Sequence, residues 1–216
     1  MSGEQNDDVK EFGTVQSGGI EIISIIGEIE GHENLGKDGK TTKYEHMLPL
    51  LAGIERDNKA DGILFLVNTI GGDVSCGLAL AEMIAGLGKP TVSLVLGDSH
   101  SIGVPVAVAA DYSFIVPSAT VVIHPVRMSG TILGASQTYK QFKSIQDRII
   151  GFIGAHSRCP ENELESMMME THMMAKDLGT ILVGQEAVDA GIINEVGHIG
   201  RAFEKLRELI EAGSGS

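Results

Sequence analysis

The chain has 216 residues, of which 29 are acidic and 16 basic, for a formal net charge of −13. This balance excludes the basic footprint of a nucleic-acid-binding protein. Hydrophobic residues make up 43 % of the chain, aromatic residues only 4 %, and 28 residues are glycine, which points to a globular chain with an aliphatic core and many close backbone approaches.

Residues 1–18 are polar and acidic with no apolar run, so a flexible segment is expected there and a secretory signal is not. Ile20–Ile26 (IEIISII) predicts a strand. Glu30–Lys43, rich in Gly, Lys and Asn, predicts a loop. Apolar residues at Met47, Leu48, Leu51 and Ile54 predict a helix over Tyr44–Ile54. Gly62–Val67 is a continuous apolar run, the mark of a strand buried on both faces. Val74–Leu87 predicts a helix that stops at Gly88 ahead of Pro90. Thr91–Leu96 predicts a strand, and Ile102–Ala110 a buried helix. Tyr112–Val116 and Thr120–Ile123 predict strands. Gln137–Ile153 is a long amphipathic helix and Glu161–Met174 another. A short helix over Glu186–Ala190, a strand over Ile192–Val196 and a helix over Ile199–Ala212 complete the chain, with 213–216 as a flexible tail. Strands alternating with helical segments argue for an α/β fold. No linker divides the chain, so 19–212 reads as one domain. No apolar stretch reaches the ~18 residues of a membrane span. Two cysteines, Cys76 and Cys159, form no CxxC pair, and a reducing cytoplasm is the expected compartment.

Four places carry chemistry. Asn68-Thr69-Ile70-Gly71-Gly72-Asp73 joins a buried strand to a helix. Its glycines either make a plain turn or bring free N–H groups to an anion or a carbonyl oxygen. Gly97-Asp98-Ser99-His100-Ser101-Ile102-Gly103 stands at a second strand-to-helix junction. A serine there either caps the helix or stands exposed as a nucleophile, and Ser99 and Ser101 compete for either role. His124, before Pro125 at a strand end, suits a general base or a half-buried structural histidine. Asp177, in Lys176-Asp177-Leu178-Gly179-Thr180, is either a surface acid or the carboxylate that orients a histidine. The methionines at 167–169, 173 and 174 suit a helix core or an adaptable contact surface. With no HExxH, EF-hand or His/Cys cluster, neither metal nor cofactor is expected.

Together these segments, with Gly77, Val122-Ile123-His124-Pro125, Glu186-Ala187 and Gly191-Ile192-Ile193-Asn194-Glu195-Val196, resemble the proteolytic-subunit (ClpP) family of the Clp protease, in that family's order and spacing. The wider pattern is closer to a ClpP-like branch of translocation-enhancing proteins. The resemblance implies a ClpP/crotonase-like spiral of ββα units with Gln137–Ile153 as a protruding handle helix. It implies Ser101 as nucleophile, His124 as base and Asp177 as third member. Gly71, with Gly72 beside it, and Ile102 would supply the oxyanion hole. It implies a serine endopeptidase acting on peptides or unfolded proteins inside a homo-oligomeric ring, a heptamer or a tetradecamer. The alternative is a catalytically weak or inactive ring scaffold that assists translocation or quality control. A crotonase-type acyl-CoA enzyme fits less well, because Ser101 and His124 are both retained. A Ser–Lys peptidase would have to use Lys89 or Lys176. Several departures from the family stand out. Ile102 replaces a usual methionine, Pro125-Val126 replaces Gln-Pro, and an ungapped count puts Gly179 at the acid position, with Asp177 two residues earlier. The polar N-terminus and an insertion over Gly31–Lys43 leave a Clp-type ATPase partner open.

Overall fold

The computed structural model describes residues 13–32, 39–127, 134–171 and 179–213. Three long parallel strands form its spine: β2 (Ile20–Ile29), β4 (Gly62–Gly72) and β5 (Thr91–His100). Each begins on the apolar run read from the sequence and continues beyond it. The reason is exposure. From the ends of the runs onward one face turns to solvent, so Ile26 and Leu96, which close two of the runs, and Ile70, beyond the third, are 44 %, 45 % and 59 % exposed, and continuous hydrophobicity no longer marks the strand.

The register shifts between Ile26 and Glu28 and again between Val67 and Thr69. Such bulges bend strands and re-aim side chains. Gly27, at φ +81°, makes the first possible, because a Cβ there would run into the Lys40 carbonyl. Beyond the bulges the sheet forks at β5. Its first half, Val92–Val95, pairs with β6 (Tyr112–Ile115), which in turn pairs with β9 (Glu195–Val196). Its second half, Asp98–His100, pairs with β7 (Thr120–Ile123), and β7 pairs antiparallel with β8 (Thr180–Val183).

The helices cover this sheet. α1 (Tyr44–Arg56) buries Met47, Leu51 and Ile54. α2 (Val74–Ala85) starts under the Asp73 carboxylate, which accepts from the Cys76 N–H at 2.9 Å, an N-cap. α3 (Gly103–Val108) is buried throughout. α4 (Ala135–Ala155) buries only Ile149, Ile150, Phe152 and Ile153 at its far end. Its first turns stand off the core, as a handle would. α5 (Glu161–Met168), α6 (Gln185–Asp189) and α7 (Ile199–Gly213) follow, and α7 seats Ala202 and Leu206 in the core. That core is aliphatic, with Phe65 and Phe114 its only fully buried aromatic rings among the described residues.

Several expectations are corrected. Flexibility was expected through residue 18, but Thr14–Ser17 form β1, antiparallel to Ile20–Ile23; residues 1–12 lie outside the described residues. Within the expected loop, Thr41–Thr42 form β3 beside Glu28–Ile29, and the Thr42 hydroxyl bonds both the N–H and the carbonyl of Ile26. Backbone bonds from Glu28 and Glu30 together with that side chain, rather than hydrophobic patterning, hold the strand. The helix expected over Ile102–Ala110 is only Gly103–Val108, and the strand expected over Ile192–Val196 is only Glu195–Val196. The helix from Glu161 ends at Met168; Met173 and Met174 lie outside the described residues.

Candidate active site

Ser101 stands at the turn from β5 into α3 at φ +57°, the only positive φ of a non-glycine among the described residues. A left-handed L-residue costs about 1–2 kcal/mol. The turn is held by the Ser101 N–H, which donates to the Val122 carbonyl at 2.9 Å, and by α3 starting two residues on. This is the geometry that lifts a serine hydroxyl off the end of a strand. The two serines sit in different environments. Ser99 is fully buried and its hydroxyl donates to the Gly103 carbonyl at 3.0 Å, whereas Ser101 lines an open cleft.

Gly71, at φ +90°, backs onto that turn. A Cβ there would lie 3.3 Å from the Ile102 nitrogen. Gly72 runs along Ile29 of β2. Gly77 of α2 presses on Ile102, where a Cβ would stand 2.5 Å from its side chain. Gly71 and Ile102 thus pack side by side at the Ser101 turn. The Ile102 N–H precedes the first turn of α3, where helices leave donors unpaired. The Gly71 N–H, by contrast, donates to the Thr69 hydroxyl at 3.1 Å, and that hydroxyl donates on to the Gly27 carbonyl at 2.5 Å. Thr69 is a participant that sequence reasoning missed. Its only signal was its place in the Asn68–Gly72 run.

His124 follows β7 and shares with Ser101 and Gly72 a cleft of about 220 Å³, whose lining also includes Ile70, Ile123, Arg127 and Met168. Its Nδ1 lies 2.7 Å from the Pro125 carbonyl oxygen. No hydrogen bond joins Ser101 to His124 or to any other described residue through its hydroxyl. Catalytic contacts are often long before substrate binds. Gly179, at φ +132°, abuts His124: a Cβ there would stand 2.9 Å from the His124 Cβ and 2.5 Å from the Ile123 carbonyl oxygen. Asp177 lies outside the described residues.

His100 precedes the serine but is engaged elsewhere. Its Nε2 is 2.7 Å from the Thr120 hydroxyl, which donates to Asp98 at 3.0 Å. Asp98 itself is 3.3 Å from His100. Burial lowers the His100 pKa, the Asp98 charge opposes this, and the His124 charge adds to it. Asp98 faces Thr120 and His100 faces Val122 across the ladder, so this row of side chains shares a sheet face with His124.

A serine at a positive-φ strand-to-helix turn and a histidine share one cleft at the end of the sheet of this α/β protein. The chain belongs to the Clp protease family, whose model matches residues 21–199. It is 48 % identical over 197 residues, 91 % of this chain and 77 % of the relative, to the translocation-enhancing protein TepA of Halalkalibacterium halodurans. It is 27 % identical over 146 residues to the ATP-dependent Clp protease proteolytic subunit 1 of Protochlamydia amoebophila, covering 66 % of this chain and 68 % of that protein. Among solved structures, a mutant of ClpP1 from Listeria monocytogenes superposes with a TM-score of 0.65 at 22 % identity, over 84 % of this chain and 93 % of that one. The fold expected from the sequence is thus the one observed. Among the described residues no helix is long and apolar enough to cross a membrane.

Proposed function

We propose that the chain is a ClpP-like serine peptidase that hydrolyses peptides or unfolded proteins, working in the cytoplasm inside a homo-oligomeric ring. The observation that carries this is Ser101, held at φ +57° against Gly71 and opening into the cleft it shares with His124. In acylation the Ser101 Oγ bonds to the peptide carbonyl carbon and its proton passes to His124 Nε2. The C–N bond then breaks and the proton goes to the leaving amine. Water repeats the sequence to release the acid. The Ile102 and Gly71 amides, with Gly72 beside them, receive the oxyanion; Gly71 must first give up Thr69. Asp177 is assigned by the resemblance alone, and the roles of Ser101 and His124 stand without it.

A second reading has its own support. The Gly71 donor is occupied and Ser101 is not bonded to His124, the state of a site at rest, and one relative is named for enhancing translocation. On that reading the ring is a scaffold. A fluorophosphonate probe separates the two. The peptidase is labelled at Ser101 and loses labelling in Ser101→Ala and His124→Ala, whereas absence of labelling in every oligomeric state rules it out.

A further inference from the structure

Ile70, Ile123, Ile153 and Met168 give the Ser101 cleft apolar surface, and Ser101 and His124 give it reactive groups. Arg127 lines it as well. Among the described residues it is the one fixed charge in that lining, and no described acidic residue lines the cleft. The chain as a whole carries a net charge of −13, so an exposed cation on this cleft reverses the sign locally. The segment that places the base also places this cation. Arg127 stands three residues past His124. Pro125 between them has a fixed φ, and Val126 packs against the core.

We propose that Arg127 is a specificity-determining residue that binds a carboxylate of the peptide in the Ser101 cleft. The site then prefers substrates with an acidic side chain, or a free C-terminus, within reach of the scissile bond. The proposal rests on the serine-peptidase reading given above and names the substrate class of that site. The chemistry suits the place. A guanidinium and a carboxylate are both planar and pair through two parallel N–H···O bonds. The aliphatic side chains around them lower the local dielectric and strengthen that pair. An arginine stem can cover apolar wall while its head stays at the open rim. Arg127 already engages another group, but a guanidinium offers five N–H donors, more than a single partner fills. Because Arg127 is exposed, water competes for it, and the preference is expected to be about tenfold.

The experiment gives the full chain pairs of competing peptides and reads their cleavage by mass spectrometry. The reference peptide is aliphatic and amidated at its C-terminus. One set of competitors carries a single glutamate, moved through the sequence, and keeps the amide. Another keeps the neutral sequence and has a free C-terminus. The ratio of kcat/KM within one sample is independent of how much of the chain is folded or assembled. Wild type is expected to cleave a carboxylate-bearing peptide about tenfold faster than the reference. A preference confined to the glutamate set identifies the side chain as the ligand, and one confined to the free acids identifies the terminus. Arg127→Met should bring the ratio close to one, Arg127→Lys should restore part of it, and Arg127→Glu should turn the preference towards a lysine-bearing peptide. Raised salt should shrink the wild-type ratio. A preference that persists undiminished in Arg127→Met would overturn the proposal. A wild type that cleaves all the peptides alike removes this proposal alone. A wild type that cleaves none of them removes the peptidase reading together with it.

Discussion

Gly71 lies directly behind Ser101: a Cβ on Gly71 would stand 2.9 Å from the Ser101 Cβ and 2.7 Å from the His100 carbonyl oxygen. A methyl group there meets rigid backbone on one side and the nucleophile on the other, at a φ of +90° that L-residues rarely adopt. Gly71→Ala is therefore expected to displace the turn and misplace an oxyanion donor. The fluorophosphonate labelling rate should fall by about 10²–10³, the cost of losing one such donor. Thermal unfolding should show a loss of about 1–3 kcal/mol. Labelling at the wild-type rate would refute the role given to Gly71.

The two serines should part company under mutation. Ser101→Gly relieves a left-handed residue and is expected to raise stability by about 1 kcal/mol while abolishing labelling. Ser99→Ala removes a buried bond to the Gly103 carbonyl and should lower stability by about 1 kcal/mol while leaving Ser101 reactive. Calorimetry and labelling read on the same samples check both.

His100 gives the fold a pH dependence. Burial holds its pKa below the ordinary value, so the unfolded chain takes up a proton near pH ~6.5 while the folded chain does so only at lower pH. The unfolded state binds more protons in that window. Stability from this group is full above about pH 6.5 and is lost as pH falls towards the lowered folded value. His100→Gln, which keeps a polar group near Thr120 but cannot titrate, should flatten the curve of denaturation midpoint against pH in that window. An unchanged slope would remove His100 as its source.

Both thiols should be inert in the native protein. Cys76 and Cys159 are buried, and burial pushes each pKa up to about 11. Since the thiolate is the reactive form, iodoacetamide at neutral pH is expected to modify neither residue until denaturant is added. Mass spectrometry of the intact chain counts the adducts.

The spine of the fold was legible because β2, β4 and β5 begin as continuous apolar runs, and Gly71, Gly72 and Ser101 because their junctions are marked by glycine and serine. What escaped is what hydrophobicity cannot encode. The outer halves of the spine strands are exposed on one face, and β3 is held by the Thr42 hydroxyl. The Thr69 hydroxyl acts through a contact with the Gly27 carbonyl, 42 residues away in the chain, that only the bulged sheet creates.

The fork at β5 has a mechanical consequence. Ser101 is tied by its N–H to the Val122 carbonyl of β7, and His124 lies two residues further on, just past the end of that strand. Ser101 and His124 are therefore linked through one wing by a single backbone hydrogen bond. A displacement of β6 and β9 on the other wing leaves their spacing intact. A force applied along β7 and β8 would move Ser101 and His124 together and change instead their distance from Gly71, which belongs to β4.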